Sequence, residues 1–261
     1  MTLAAERRSV LGRALRILDA VKDSAAGLSL SEISRRAGVP LTTAHRIVNE
    51  LNDWGALERD ASGAYQIGLR LWELATVAPR SVGLQRVALP FMQDLFETTH
   101  RGVHLAIREK DQVVFVESFL SRETATDRAR VGVHYELPAT AIGLVLLAYA
   151  PHSLQEEVLT GPLALPRWHQ PFTERELRQA LAHVRHSGYA TTPIREEYLS
   201  VAAPIHGQGG AVVAALSLIL PIAEPYGPRL AHLQGTARGI SRALGSPQGR
   251  GARPAGRLGP R

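Results

Sequence analysis

The stretch LSLSEISRRAGVPLTTAHRIVNEL, residues Leu28 to Leu51, decides how the first third of the chain folds. Ser29 is followed three residues later by Glu32. That is the spacing of a capping box, in which the hydroxyl accepts the Glu32 amide and the carboxylate reaches back to the Ser29 amide. A short helix is predicted over Leu30–Arg36. Gly38 suits the left-handed residue that closes such a helix, and Pro40 stands where a first turn has no amide to satisfy. In the next helix Leu41, Ala44, Ile47 (or Val48), Leu51 and Trp54 form the apolar stripe, and Gly55 ends it. Two short helices across a tight turn make a helix-turn-helix.

The flanks complete the unit. Upstream, Leu11, Ala14, Leu15, Leu18 and Val21 recur at helical spacing and give one apolar face. Downstream, Ala56–Arg59 and Ala64–Ile67 are strand-like around Asp60-Ala61-Ser62-Gly63, a hairpin signal. Gly68 then leads into an apolar helix, Leu69–Ala78. Three helices, a hairpin and a fourth helix are the parts of a winged helix-turn-helix over residues 9–78.

With its apolar stripe inward, the helix after Pro40 turns Thr42, Thr43, His45, Arg46 and Asn49 outward. Recognition helices present such residues to base edges in the major groove of double-stranded DNA. Arg can grip guanine with two bonds, and the Thr methyl can meet a thymine methyl. Arg35, Arg36 and Arg46 have no acid between Glu32 and Glu50, so this surface is expected to be basic. Ser31 and Arg36 on the preceding helix join the expected DNA-facing set, as do Arg59 and Tyr65 on the wing. One winged helix reads too few base pairs for useful specificity, so a homodimer or homotetramer is expected.

Beyond a boundary near Pro79, a linking helix is expected within residues 79–98. Strands Val103–Ile107 and Val113–Glu117 follow, then a small apolar helix, Ala139–Ala150. Thr173 and Glu176 form a second capping box, and Phe172 with Leu177 a hydrophobic staple, for a helix that Gly188 closes. Leu199–Ile205 and Val212–Leu220 are apolar strands, Gly207–Gly210 is a turn, and a last helix covers about Arg229–Leu244. The class is α+β.

The ordered set Arg13–Leu18, Leu28–Leu51, Tyr65–Gly68, Glu136–Ala148, Gly188–Ala190, Ser200–Ile205 and Ala214–Pro221 resembles the IclR-type transcriptional regulators. The resemblance spans residues 9–244. It implies an N-terminal winged helix-turn-helix, a GAF-like α/β effector domain over 99–244, small-molecule control and assembly as dimers or tetramers. It also places Ala141, Ile142, Thr192, Ser200 and Ser217 around an effector pocket. There the free amides of a helix start can hold an anion, the serine hydroxyls can donate to a carboxylate, and Tyr135 or Tyr189 can stack on a ring. Around this pocket the chain has Pro138 where the family usually has His, Leu144 where it has Lys or Arg, and Ser200 where it often has Cys. The lining is small, hydroxylated and uncharged, so the expected effector is a small organic or aromatic acid.

Composition narrows the rest. The chain has 261 residues, 45% of them hydrophobic, and no cysteine, so disulfides, thiol catalysis and Cys-based metal sites are excluded. The net charge of +6 divides into +1 for residues 1–78, +1 for 79–244 and +4 for 245–261, so the excess is mostly a Gly- and Pro-rich tail expected to be disordered. No Gly-x-Ser-x-Gly elbow, Lys-bearing phosphate loop or His-Glu-x-x-His is present, so neither an enzyme nor a cofactor is expected. His100 with His104 and His183 with His186 have helical metal spacing, but Gly102 and the Val103–Ile107 run make the first pair straddle a helix-to-strand turn, the second sits at an exposed helix end, neither has a third ligand nearby, and no metal is expected. With neither a secretory pattern at the start nor an apolar run of about 18 residues, a cytoplasmic location is expected.

Overall fold

The computed structural model describes residues 9–22, 24, 26–76, 81–121, 131–161, 172–195 and 197–246. The chain divides into two compact units at Val82/Gly83. The tail beyond residue 246, the boundary at Pro79 and the end of the helix expected to reach Ala78 lie outside the described residues.

The N-terminal unit contains α1 (Val10–Lys22), α2 (Leu30–Ala37), α3 (Leu41–Trp54), the hairpin β1 (Leu57–Arg59) with β2 (Tyr65–Ile67), and α4 (Leu69–Thr76). Both halves of the Ser29–Glu32 capping box are made. Gly38 closes α2 at φ 61°, a conformation that costs glycine no Cβ clash. Asp60 holds the wing: one carboxylate oxygen accepts the Ser62 and Ala64 amides, both at 2.9 Å. The core gathers Ile17, Val21, Leu28, Ile33, Ala44, Ile47, Val48, Leu57 and Tyr65. Two expected stripes need correction. Ile17 and Val21, not Leu11 and Leu15, carry the burial of α1, and Leu11 is 68% exposed. On α3, Leu41 and Trp54 are exposed, because the three-helix core needs only the middle two turns; Trp54 lies instead 4.7 Å below the Arg70 guanidinium.

The second unit is built on a six-stranded antiparallel sheet in the order β5-β4-β3-β8-β7-β6. The strands are β3 (Val103–Glu109), β4 (Gln112–Phe119), β5 (His134–Glu136), β6 (Ala190–Arg195), β7 (Tyr198–His206) and β8 (Val212–Pro221). One sheet face packs on α5 (Ser81–Thr99) and α9 (Gly227–Ala243) through Ala88, Met92, Leu233 and Ile240. The other face packs on α6 (Ala141–Ala148), α7 (His152–Thr160) and α8 (Glu174–Ser187). Strand alternation sorts the residues: Val103, Leu105, Leu216 and Val201 face α5 and α9, while Ala106, Ala202 and Ala215 face α6.

The helix expected from Ala139 starts later. Leu137–Ala139 is a 3-10 turn, Thr140 is extended, and its hydroxyl caps α6 by accepting the Gly143 amide at 2.9 Å. A Cβ on Gly143 would strike the Leu137 carbonyl, so this tight entrance to α6 requires glycine. β5 and α7 have no counterpart in the sequence reading. β5 is only three residues long, and α7 is largely polar with a single buried side chain, Leu159.

Candidate DNA-reading face and ligand cavity

Burial of Ala44, Ile47 and Val48 fixes the rotation of α3. Thr42, His45, Arg46 and Asn49 are therefore exposed, and Thr43 is half-buried. Ser31, Arg35 and Arg36 are exposed on α2. No acid lies between Glu32 and Glu50, but Glu50 itself, one turn along α3, lies 2.7 Å from the Arg46 guanidinium. Both partners are more than half exposed, so the pair holds Arg46 only weakly. On the wing, Arg59 donates to the Gly63 carbonyl at 3.0 Å and lies over the Tyr65 ring. Tyr65 itself stands apart from the exposed set: it is buried, bridged to Leu28, and forms the floor on which Arg59 rests.

The second unit holds a cavity of about 50 Å³ between its sheet and the start of α6. It is lined by His104, Phe115, Tyr135, Ala139, Thr140, Ile142, Thr192, Ile194, Ser200, Ser217 and Ile219. Register explains why these residues meet. Thr192, Ser200 and Ile219 pair across β6, β7 and β8, and Ser118, His104, Ser217 and Ala202 pair across β4, β3, β8 and β7. Alanines at 106, 202 and 215 on the same face leave room.

The lining carries no charged side chain, and its polarity is graded. Thr140, Thr192, Ser200 and Ser217 supply hydroxyls near the start of α6. Intrahelical bonding leaves the first amides of a helix unpaired; Thr140 already takes those of Gly143 and Leu144, so Ala141 and Ile142 are the amides left over. Among the lining rings, Phe115 meets Tyr135 edge-on at 5.8 Å and His104 edge-on at 5.7 Å. His104 is 1% exposed. Its Nδ1 is 2.9 Å from the Ser118 hydroxyl, and burial pushes its pKa down to about 4, so the imidazole is neutral at physiological pH.

Of the residues placed at a pocket by resemblance, Tyr135, Ile142, Thr192, Ser200 and Ser217 come together here. Ala141 is buried in the core beside the cavity and does not line it. Tyr189 is elsewhere: it packs on the α5/α9 side, against His183 and Tyr226. The Arg195 side chain lies outside the described residues. By sequence His104 is only half of a metal pair that straddles a helix-to-strand turn, and His100 does stand just past α5 with His104 within β3. The usable signal was a lone polar residue in the apolar run Val103–Ile107. Phe115 and Ile219 carried none.

A winged helix-turn-helix with an exposed face on α3, joined in one chain to an α/β unit with a buried, uncharged cavity, defines a ligand-responsive type of DNA-binding regulator. The chain belongs to the IclR family: residues 10–61 match the IclR helix-turn-helix domain and residues 77–245 match the bacterial transcriptional regulator IclR C-terminal domain. It is 30% identical over 243 residues to the HTH-type transcriptional regulator XynR of Escherichia coli, covering 90% of this chain and 96% of that one. It is also 30% identical over 251 residues, again 90% and 96%, to the glycerol operon regulatory protein of Streptomyces coelicolor. The crystal structure of an IclR homolog from Microbacterium hydrocarbonoxydans complexed with 4-hydroxybenzoate is 35% identical, with a TM-score of 0.84 over 90% of this chain and 99% of that one. The protein is thus a DNA-binding transcriptional regulator. No helix among the described residues is long and apolar enough to cross a membrane.

Proposed function

We propose that this regulator acts in the cytoplasm as a homodimer or homotetramer, reads operator DNA through α3, and is controlled by a small aromatic or other organic acid held in the cavity of the second unit. It performs no catalysis. The DNA-facing set is Ser31, Arg36, Thr42, Thr43, His45, Arg46 and Asn49, with Arg59 on the wing and Tyr65 beneath it. The effector set is Tyr135, Ile142, Thr192, Ser200 and Ser217.

The observation that carries this reading is the cavity's chemistry: four hydroxyls, the start of α6 and aromatic rings line it together, with no cation among the lining residues. A carboxylate can be held by the amides and hydroxyls, whereas a phosphate dianion would lack a countercharge. Support for an aromatic acid comes from the Microbacterium neighbour and its 4-hydroxybenzoate. Support for assembly comes from apolar side chains left in water within the N-terminal unit: Leu15 on α1, and Leu69 and Trp72 on α4, are all more than half exposed.

The space is about a third of the ~150 Å³ cavity that accepts benzene in an engineered protein. A ring must therefore displace wall side chains, and the half-buried Tyr135 and Ile194 are placed to give way. A ligand that moves its walls binds one conformation better than another, and only such a difference can shift a population. A preference of ~1–3 kcal/mol would change operator affinity ~5–150-fold.

The test is calorimetry and thermal shift with a panel of acids on the native chain, Ser200→Val and Ser217→Val, alongside operator titrations with and without the best acid. At least one acid should bind, lose affinity in both variants and alter operator affinity. Absence of any acid binding, or binding indifferent to both substitutions, would sink the reading in favour of a C-terminal unit that only assembles. Turnover of the acid would contradict the non-catalytic assignment.

A further inference from the structure

The cavity contains one side-chain nitrogen that the protein itself does not satisfy. His104 Nδ1 is engaged with Ser118, but its Nε2 is buried and has no hydrogen-bond partner among the described residues. Burying such a group unpaired is costly, and native proteins rarely leave one without a reason. His104 stands on β3, one strand beyond Ser217 on β8 and two beyond Ser200 on β7. Neighbouring strands lie about 4.8 Å apart. The imidazole is therefore displaced from the hydroxyls at Ser200 and Thr192 by roughly 10–14 Å of sheet, with Ser217 between them.

We propose that His104 is a specificity-determining residue: its Nε2 hydrogen-bonds a polar substituent on the ring of the bound acid, so the pocket selects hydroxylated aromatic acids over unsubstituted ones. This rests on the acid-binding reading above. The matching group is a hydroxyl. The Ser118 hydroxyl can donate to Nδ1 or accept from it, so Nε2 can be either donor or acceptor, and a phenol can answer both. A second carboxylate on the ligand fits worse, because the imidazole is held neutral and offers no countercharge. An unsubstituted ring would leave Nε2 unpaired in the complex, and sites built around a ligand hydroxyl reject analogues that lack it for that reason.

The experiment uses the full chain and measures affinities for benzoate and for its 3- and 4-hydroxy derivatives. Three proteins are compared: wild type, His104→Asn and His104→Gln. Asn retains reach toward Ser118 and removes the atom equivalent to Nε2; Gln extends an amide toward that position. The wild type should favour one hydroxylated acid over benzoate by about tenfold or more, the scale of one hydrogen bond. His104→Asn should abolish that preference, read as the ratio of hydroxybenzoate to benzoate affinity in the same protein, and His104→Gln should keep part of it. A purely structural role would lower all affinities together. A measurement needing no variant guards against misfolding: in ¹⁵N-histidine spectra of the wild type, the hydroxylated acid should shift the His104 Nε2 resonance and benzoate should shift it far less. If the acids bind but the preference survives His104→Asn, or Nε2 shifts alike with both, the assignment of His104 fails and the acid-binding reading stands. If no acid binds the wild type, both fail.

Discussion

The two units hold their polar groups in opposite ways. In the N-terminal unit the chemistry is outside: Thr42, His45, Arg46 and Asn49 stand in water on a helix held by its own buried face, Ala44, Ile47 and Val48. Arg46 has a replaceable partner in Glu50, and Arg59 is parked on a carbonyl and a ring. In the second unit the chemistry is inside: His104, Thr192, Ser200 and Ser217 are all under 10% exposed, and no charge accompanies them. A reader of phosphates and base edges needs mobile charges at the surface. A reader of one small molecule needs fixed, desolvated dipoles whose unpaired state is unfavourable enough to enforce specificity. One site is therefore tolerant of substitution in its own fold, and the other is part of its core.

That contrast predicts where substitutions hurt. The largest effect should come from Gly143→Ala, which drives a Cβ into the Leu137 carbonyl, a backbone atom that cannot rotate away. Forced overpacking of this kind costs about 3 kcal/mol. The loss should appear in hydrogen exchange of the α6 and β8 amides and be absent from those of α2 and α3. Equal loss in both units would break the description of them as separate compact bodies.

Acid should distinguish the units next. Native His104 takes a proton only near pH 4, whereas the unfolded imidazole does so near 6.5. Between those values the unfolded state binds more protons, so stability falls as pH falls. By pH 5 the loss is about 2 kcal/mol. Burial also lowers the pKa of His206, which adds in the same direction. In the N-terminal unit the lowered groups are Glu32, held down by Ser29, and Asp60, held down chiefly by Ser62. Their contribution is present above the ordinary carboxylate range and is lost only as pH drops below it. Between pH 7 and 5 the exchange protection of α6 should therefore fall while that of α3 changes little, and His104→Gln should remove most of the slope.

The same contrast explains what could be read from the chain. The helices that carry the proposed DNA-reading face are legible, because helix caps and a surface helix are local: Ser29 and Glu32 meet three residues apart, and Gly38 and Gly55 close their helices in sequence. The corrections there, at Leu11, Leu15, Leu41 and Trp54, concern which apolar residues a small core can cover. The cavity was not locally legible. Ser217 meets His104 across 113 residues of chain, through strand register that no local pattern specifies. Five of its residues were named only because a family resemblance supplied the register. The resemblance could not supply His104, whose role depends on an unpaired nitrogen visible only once Ser118 and Phe115 are in place.

Arg46→Ala should leave stability almost unchanged, since the Glu50 pair is exposed. It should weaken binding to the preferred operator by about 2 kcal/mol and relax the preference at one base pair, as loss of a two-pronged guanine contact does. Footprinting with operator variants measures both. Unchanged operator affinity would remove α3 from the reading face. Loss that is uniform across sequences would make Arg46 a phosphate contact.

The smallest effect sharpens that distinction. Arg59 sits at the wing, tethered to the Gly63 carbonyl and stacked over buried Tyr65, so its guanidinium is aimed but not tied to an acid. A cation in such a position meets the phosphate backbone, where contacts orient the protein without carrying sequence information. Arg59→Ala should therefore weaken preferred and scrambled DNA alike, by under about 1 kcal/mol, and reduce the salt dependence of binding by about one counterion. It should not alter the response to an acid effector, because removing a contact made equally in both states cancels from the coupling free energy. Titrations at three salt concentrations, each with and without ligand, give all of these quantities together. A sequence-selective loss would show that the wing reads bases in a groove. An altered effector response would show that the wing senses ligand binding, and that the exposed and buried sites share more than the described structure accounts for.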